Sequence, residues 1–541
     1  MECTCVRQTD IPHTSKLYTD LIYHYDRVAD LYSAPPNNLD AIAKASRFDF
    51  PADRRAALVA ALRPLNPDNP SLEKLAQPDT VAIITGQQVG LFSGPAYTVY
   101  KALTAIRIAG ELNERGISAV PVFWLATEDH DFAEVDHAWV FGPAQIPTRL
   151  HMETNGRFQG RPVGDAPLAD LPLENLRQAL AGFPFADHVV DLISRAWQPG
   201  HTMGSAFASF MRETFAPWGL LLVDPMAPAL RHLAAPLIRE AVARMPELTE
   251  ALIARSQQLK ARGYHAQVLV EKDTSLLFLL EPGERKGLEP GERKGLDAGE
   301  RKGLKQSGGA FLAGQRKISS AELVDRAEFL SPNALLRPVA QDYMLPTAAY
   351  VGGPAELAYL AQSQVLYEKL LGRQPVAFPR AGFTILDQRS AKRMQRYGLA
   401  PTDLFTPETS LRETIGARLV PPELRAHVER TQATAAAALS GLSAELRGFD
   451  PGLAAAVETS RRKIEYQFGK INRKTGAHML ARDAQAARDA QALSGLVFPE
   501  RHLQERLYSI VPFLARFGPS LIGELYDQVH VECPDHQVIT L

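Results

Sequence analysis

The run VAIITG (81–86) is continuously apolar and β-branched up to a terminal glycine, which predicts a strand buried on both faces. GQQVGLFSGP follows, and from about Ala96 the period changes. Val99, Leu103, Ile106 and Ala109/Gly110 recur at spacings of three and four up to the stop ELNERG, the pattern of a helix. SAVPVFWLA (118–126) is again a continuous apolar run and predicts a second buried strand. Strand, glycine loop, helix and strand make a βαβ unit, which implies a parallel sheet with a right-handed crossover. The pattern returns late in the chain. TAAYVGGP (347–354) leads into a helix through AELAYLAQSQVLYEKLLG, and PVAFPRAGFTIL (375–386) reads as the next strand. Between these units lie GLLLVDP (219–225), a helix from Ala229 to about Arg262, and HAQVLV with SLLFLL as the two arms of a hairpin. The fold class is therefore α/β, with a Rossmann-like, doubly wound parallel sheet split by inserted segments.

Residues 1–75 read as helical with loops, and the α/β core as 76–400, with inserted segments at about 145–215 and 265–330. GERKGL occurs at 283–288, 291–296 and 299–304. A unit with one leucine among charges cannot bury a face as solenoid repeats do, so 281–305 is expected to be an exposed loop between two hairpin strands. In 409–495 the pattern becomes heptad-like. Leu424, Val428, Ala435, Leu439, Leu442 and Leu446 form one seam; Val457, Ile464, Phe468, Ile471 and Thr475 form another after the turn GFDPG. Two such arms predict a long antiparallel helical hairpin, a coiled-coil arm carrying Arg461, Arg462, Lys463, Lys470, Arg473 and Lys474 on its faces. The tail, 496–541, returns through the helical pattern QERLYSIVPFLARFG and is expected to pack on the core.

Composition narrows the function classes. Of 541 residues 45% are hydrophobic and 22% charged, so the chain has ample material for a large core. Lys plus Arg (59) against Asp plus Glu (61) leaves a net charge of -2, which argues against an electrostatic grip on nucleic acid. No apolar window is long enough to cross a membrane, and MECTCVRQTDIPHTSK lacks the basic and apolar regions of a secretion signal, so the expected location is cytoplasmic. Three cysteines cannot staple a secreted fold. Cys3-x-Cys5 is too short for a zinc knuckle and is expected to be a frayed terminus with incidental thiols.

In an open α/β sheet, ligands bind beyond the carboxyl ends of the strands, which singles out three loops. Thr85-Gly86-Gln87-Gln88-Val89-Gly90-Leu91-Phe92-Ser93-Gly94 has neither the Walker A nor the dinucleotide spacing. Its glycines still allow close backbone approach, Gln87 and Gln88 offer amides, and Lys101 in the next helix is placed to reach a phosphate or carboxylate. The second loop, Thr127 to His137, is titratable at seven of eleven positions, directly after a buried strand. Two chemistries fit it. Asp129, His130, Asp131, Glu134 and His137 are donors suited to a divalent metal, as in a metal-dependent hydrolase or transferase. Alternatively Glu128, Asp129, His130 and Asp131 act without a metal as acid–base groups. The third site joins Asn333, Arg337 and Gln341, spaced to share one helical face unless Pro338 interrupts it, to Tyr350-Val351-Gly352-Gly353-Pro354-Ala355-Glu356. Arg337 and Arg380 are candidates for bidentate recognition of an anion.

TGQQVGLFSGPAYTVYK, PVFWLATEDHDFAEVDH, SPNALLRPVAQDYMLPTAAYVGGPAELAY, FPRAGFTIL and LQERLYSIVPFLARFG, in this order over nearly the whole chain, resemble the cysteine-adding enzyme family of bacillithiol biosynthesis, BshC. The GERKGL repeats depart from the family pattern. The resemblance implies a Rossmann-like core with connecting segments, similar to class I nucleotidyl-transferring synthetases, and a coiled-coil arm used for homodimerisation. It also implies a ligase that joins cysteine to the glucosamine amine of glucosaminyl-malate. A carboxylate needs its oxygen converted to a leaving group before an amine displaces it, so an ATP/ADP-type nucleotide with Mg²⁺ is expected, and no tightly bound metal. On this reading Glu128, Asp129, His130 and Asp131 are catalytic. Gln87, Gln88, Tyr97, Glu134, His137, Asn333, Arg337, Gln341, Tyr350, Glu356 and Arg380 contact substrate, with Arg337 on the malate carboxylates. Gly86, Gly90, Gly94, Lys101, Gly352 and Gly353 hold the nucleotide.

Overall fold

The computed structural model describes residues 2–153, 160–282 and 298–541. Five parallel strands form its centre: β1 (Val81–Gln87), β2 (Ala119–Leu125), β3 (Leu221–Val223), β4 (Thr347–Gly352) and β5 (Val376–Pro379). Nearly every residue in them is buried, as continuous apolar runs require when helices cover both faces. Their order is β5-β4-β1-β2-β3. The chain therefore steps outward from β1 through β2 to β3, then returns to the other side of β1 for β4 and β5. Loops leaving β1 and β4 run in opposite directions, and a crevice opens between them. Gly86 lets the β1 end close on β2, because a Cβ there would lie 2.8 Å from the Trp124 carbonyl oxygen.

Helix Tyr97–Glu114 connects β1 to β2, and helix Pro354–Leu370 connects β4 to β5, both where the apolar period predicts them. The expected helix from Ala229 to about Arg262 is two helices, Pro228–Ala243 and Met245–Ala261, divided at Arg244. Pro246 in the first turn of the second helix lacks the N–H needed to continue the first. The hairpin also differs from expectation. HAQVLV is not a strand; the Val268 backbone is satisfied by the Gln362 side chain instead, which donates to its carbonyl and accepts from its N–H.

The strand Thr274–Pro282 pairs antiparallel with Ala298–Ser307, which places Leu280 opposite Arg301. The third GERKGL unit is thus strand, not loop; the first two units lie outside the described residues. Alternation explains why it pairs: Leu304 is buried in the core, and Arg301 points to the other face. With Ala310–Ala313, Arg316–Ser319 and Leu330–Pro332 these strands form a five-stranded antiparallel sheet beside the crevice.

Helices Pro422–Arg447 and Pro451–Arg482 form the antiparallel arm. Its apolar seam stays open to solvent, with Leu442 45%, Ile464 37% and Ile471 49% exposed. The tail forms two short helices rather than one, Gln504–Leu507 and Val511–Phe517, followed by Leu521–Asp527 and the strand His536–Thr540. Pro512, at the start of the second of these, interrupts the backbone ladder. The N-terminus is not frayed. Glu2–Val6 pairs antiparallel with His536–Thr540, which in turn pairs in parallel with Gly382–Leu386. None of the described helices is long and apolar enough to cross a membrane.

The arm meets helix Glu408–Leu419 through two glycines: a Cβ on Gly416 would lie 2.6 Å from the Gly476 carbonyl oxygen. Gly416→Val should force these backbones apart and destabilise the protein by about 1–3 kcal/mol, the usual cost of overpacking, read as a lowered urea midpoint.

Candidate active site

A cleft of about 770 Å³ lies between the ends of β1, β2 and β4 and the antiparallel sheet. On one wall, Gln88 Nε2 donates to Asp129 Oδ2 and to Glu134 Oε2, both at 2.7 Å. One amide thus holds two carboxylates that would otherwise repel each other. The Asp129 Oδ1 atom accepts from the His130 backbone N–H at 2.7 Å. Burial opposes ionisation of Asp129, but the Gln88 amide, the Arg301 charge and the His130 N–H hold its carboxyl below the usual range. Arg301 Nη1 lies 3.0 Å from His130 Nδ1. A guanidinium only donates, so Nδ1 accepts and the ring is the neutral Nε2–H tautomer. Nδ1 then has no proton to share with Asp129 Oδ1, 3.6 Å away. Arg301 is fixed in turn by Ser331 Oγ, the Pro332 carbonyl and the face of Phe278, 3.8 Å from its ring centre. Beneath this wall the buried Glu128 accepts from Ser331 Oγ at 2.8 Å and sits 3.6 Å from the buried Arg231.

On the facing wall, Lys101 Nζ donates to the Gly86 carbonyl at 2.9 Å, to Gln87 Oε1 at 2.8 Å and to Glu356 Oε2. Gln87 Nε2 donates to the Tyr97 hydroxyl at 3.1 Å. Glu356 also accepts from Tyr350 Oη and the Gly353 N–H, each at 2.9 Å. Burial opposes its charge, yet Lys101 holds its carboxyl below the ordinary value. Arg337 donates to the Tyr350 and Tyr359 hydroxyls and to Gln341 Oε1, all neutral groups. Among the described residues, Arg337 and Arg506 are the cleft arginines without a carboxylate partner. Trp124 lines the cleft with a buried indole N–H that has no hydrogen-bond partner there.

Residues 1–381 match the family described as bacillithiol biosynthesis BshC, N-terminal Rossmann-like domain, and residues 383–541 match its C-terminal coiled-coil domain. The chain is 52% identical over 542 residues to a protein of Solibacter usitatus, with both chains fully covered. It is 34% identical to a protein of Koribacter versatilis over 99% of each chain, and 34% identical to one of Symbiobacterium thermophilum over 89% of each. All three bear the name "Putative cysteine ligase BshC". The chain belongs to the BshC family.

In this BshC family member the crevice gathers Gly86, Gln87, Gln88, Tyr97, Lys101, Glu128, Asp129, His130, Glu134, Asn333, Arg337, Gly353, Glu356 and Arg380. Other expected site residues stand elsewhere. Asp131 is exposed and precedes the short helix Phe132–Glu134 without capping it. His137 turns away to Asp136 Oδ1, 2.8 Å distant, which joins it to His151 instead of the cleft. Gln341 is fully buried behind Arg337, because the helix begins only at Arg337 with Pro338 in its first turn. Asn333, preceding that helix, accepts from the Leu335 and Leu336 N–H groups. Tyr350 is buried and bridges Arg337 to Glu356 rather than lining the cleft.

Gly90 and Gly94 serve a tight turn. A Cβ on Gly90 would lie 2.8 Å from Gly94 Cα, and Phe92, Ser93 and Gly94 itself adopt positive φ. Gly352 is packed under Leu357 and Tyr350, where a Cβ would lie 3.0 Å and 3.1 Å from their side chains. Lys101 spends its three donors inside the protein, so it orients Gln87 and Glu356 and is no free hook for phosphate. Arg380 is committed to Glu505 in a buried bidentate pair. The metal arrangement is not formed either: among the described residues no three His, Cys, Asp or Glu side chains gather as a cation requires. Sequence reasoning missed Arg301, Arg231, Trp124 and Arg506, and it placed Ser331 only as the start of the Asn333 loop, without a role. The one signal for Arg301 was an arginine in the last repeat unit at the spacing of a strand.

Behind Arg380, the buried His536 lies against Gly382 and shares a 2.8 Å hydrogen bond with Thr384 Oγ1. Burial lowers its pKa to about 4, only partly opposed by Glu505. Protonation therefore favours the unfolded chain. Its contribution to stability is complete above pH 6.5 and is lost as pH falls towards 4, about 3 kcal/mol in all. Urea unfolding over that range should show this slope, and His536→Gln should flatten it.

Proposed function

We propose that this protein is a cysteine ligase that joins the cysteine carboxylate to the glucosamine amine of glucosaminyl-malate, forming an amide. The supporting observation is the division of charge across one crevice. Asp129 and Glu134, tied by Gln88, face Arg337 and Arg506, which lack carboxylate partners among the described residues. An amino acid carries both signs of charge, and the malate part of the acceptor brings two more carboxylates for the arginines.

The local chemistry refines the roles. Asp129 is held too acidic to be an effective proton acceptor at neutral pH, so it anchors the ammonium group of cysteine. His130 presents Nε2–H, a donor for charge developing on the substrate oxygen. Glu134 accepts from Gln88 through Oε2 alone, which leaves Oε1 to take the proton of the attacking amine. Arg337 and Arg506 are a donor pair that fits a nucleotide phosphate as well as the malate carboxylates. When bound, ATP with Mg²⁺ supplies the activation that makes the carboxylate oxygen a leaving group. On this reading the enzyme works in the cytoplasm, and none of the described helices is long and apolar enough to cross a membrane.

Purified protein given cysteine and glucosaminyl-malate should form the amide, read by mass spectrometry, only when ATP and Mg²⁺ are added. Equal yield without nucleotide would remove the activation step, and no product in their presence would reject the ligase. Glu134→Gln should lower kcat by about 10²–10⁴-fold, while Asp129→Asn should act mainly on the KM for cysteine.

The exposed apolar seam of the arm supports a homodimer formed through it. Leu442→Glu should convert the dimer to monomer in light scattering without loss of helix content by circular dichroism.

A further inference from the structure

The three cysteines of the chain stand at positions 3, 5 and 533, at its two ends, yet the fold brings them to one place. Strand alternation puts Cys3 and Cys5 on the same face of the edge strand Glu2–Val6. Cys5 lies opposite Gln537 in the antiparallel ladder, and Cys3 Sγ donates to Gln537 Oε1 at 3.3 Å. Gln537 Nε2 in turn donates to the Gln528 carbonyl at 2.9 Å, which draws the 528–533 segment over that face. The turn is closed by the Cys533 N–H on the His530 carbonyl at 3.2 Å. The thiols are thereby gathered on one face, Cys3 and Cys533 each near enough to Cys5 to disfavour its ionisation. Cys3 and Cys5 are exposed and Cys533 half-buried, all three unbonded to one another, so small molecules reach them.

We propose that Cys5 and Cys533 form a thiol–disulfide exchange site for low-molecular-weight disulfides, with Cys3 as the neighbouring third thiol. A thiolate of the pair attacks one sulfur of the small disulfide and releases one small thiol, leaving a mixed disulfide on the protein. The second protein thiol, losing its proton to solvent, displaces the other small thiol. Two protein thiols are oxidised and one small disulfide is reduced to two thiols. Cys5–Cys533 is the pair that closes. Cys3 and Cys5, two apart on one strand, have Cα atoms about 6.7 Å apart, at the outer limit for a disulfide.

The bond would pin the first strand to the segment that carries His536, next to the Arg380–Glu505 wall. Weak links already tie the same parts. Gln8 Nε2 donates to the Pro534 carbonyl at 3.0 Å, and Tyr23 donates to Asp535 at 2.5 Å. The site stands whatever reaction the cleft performs. Partial desolvation by the neighbouring segment, with the other thiols and Asp535 nearby, pushes the Cys5 thiol up to about 11. Exchange should therefore be slow at neutral pH and accelerate with alkalinity, a response to sustained oxidation and not to brief pulses.

The test uses the full chain, reduced and freed of reductant, with 2-hydroxyethyl disulfide as the probe. The expected product has lost the mass of two hydrogen atoms, and unreduced peptide mapping joins the Cys5 peptide to the Cys533 peptide. Cys3→Ser should leave this linkage intact, and Cys533→Ser should abolish it. The oxidised form should resist proteolytic removal of the N-terminal strand. In urea the pairing preference should vanish, since the strand ladder that imposes it is gone. Three freely alkylated thiols after treatment at alkaline pH would overturn the proposal. So would a link formed only between separate chains, or the same selectivity in urea.

Discussion

The crevice depends on the amide of Gln88. Two carboxylates a few ångströms apart at the end of a buried strand raise each other's energy, and water is partly excluded from stabilising them. Gln88 gives one N–H to each, and Arg301 adds positive charge from the inserted sheet. Both residues are needed because they approach from different sides. Gln88 follows β1, Asp129 and Glu134 follow β2, and Arg301 arrives from the antiparallel sheet. The loop after the second strand is thereby held with its charges facing the cleft.

The opposite wall follows the same rule with the signs exchanged. Lys101 is buried and would be costly there without Glu356 and two further acceptors. Arg380 is likewise matched by Glu505, which also accepts the Phe383 N–H and so couples the core to the tail. Once these pairs are closed, the charges left facing the ligand are few. Arg337 is surrounded by hydroxyls and an amide, and Arg506 rests near the Tyr97 ring, 5.9 Å from its centre. Committed cations build the wall, and the uncommitted ones, Arg337 and Arg506, remain along the cleft.

Much of this was legible from residues alone. Continuous apolar runs marked β1, β2 and β4, since a strand covered on both faces has no polar side to show. The acidic loop after β2 and the glutamine turn after β1 were readable as a site because carboxyl ends of parallel strands are where such sheets receive ligands. Periodicity could not separate His137 from Glu134, however. Both follow the same strand, and only the turn through Phe132–Glu134 sends one into the cleft and the other to Asp136. Nor could it separate a free arginine from a paired one: Arg337 and Arg380 looked alike until Glu505, 125 residues further on, was seen against Arg380.

The local pattern of the chain determined the α/β class, the helical arm and the two loops that hold the acid groups and amides, because period and turn chemistry act over a few residues. Tertiary structure alone decided which donors are spent and which remain. It raised Arg301 from a repetitive, charged stretch into the site, turned Lys101 inward, and brought cysteines from both termini together. The physical reason is that hydrogen-bond saturation and charge pairing belong to groups close in space, and the strand order, reversing at β1, sets which distant segments become neighbours.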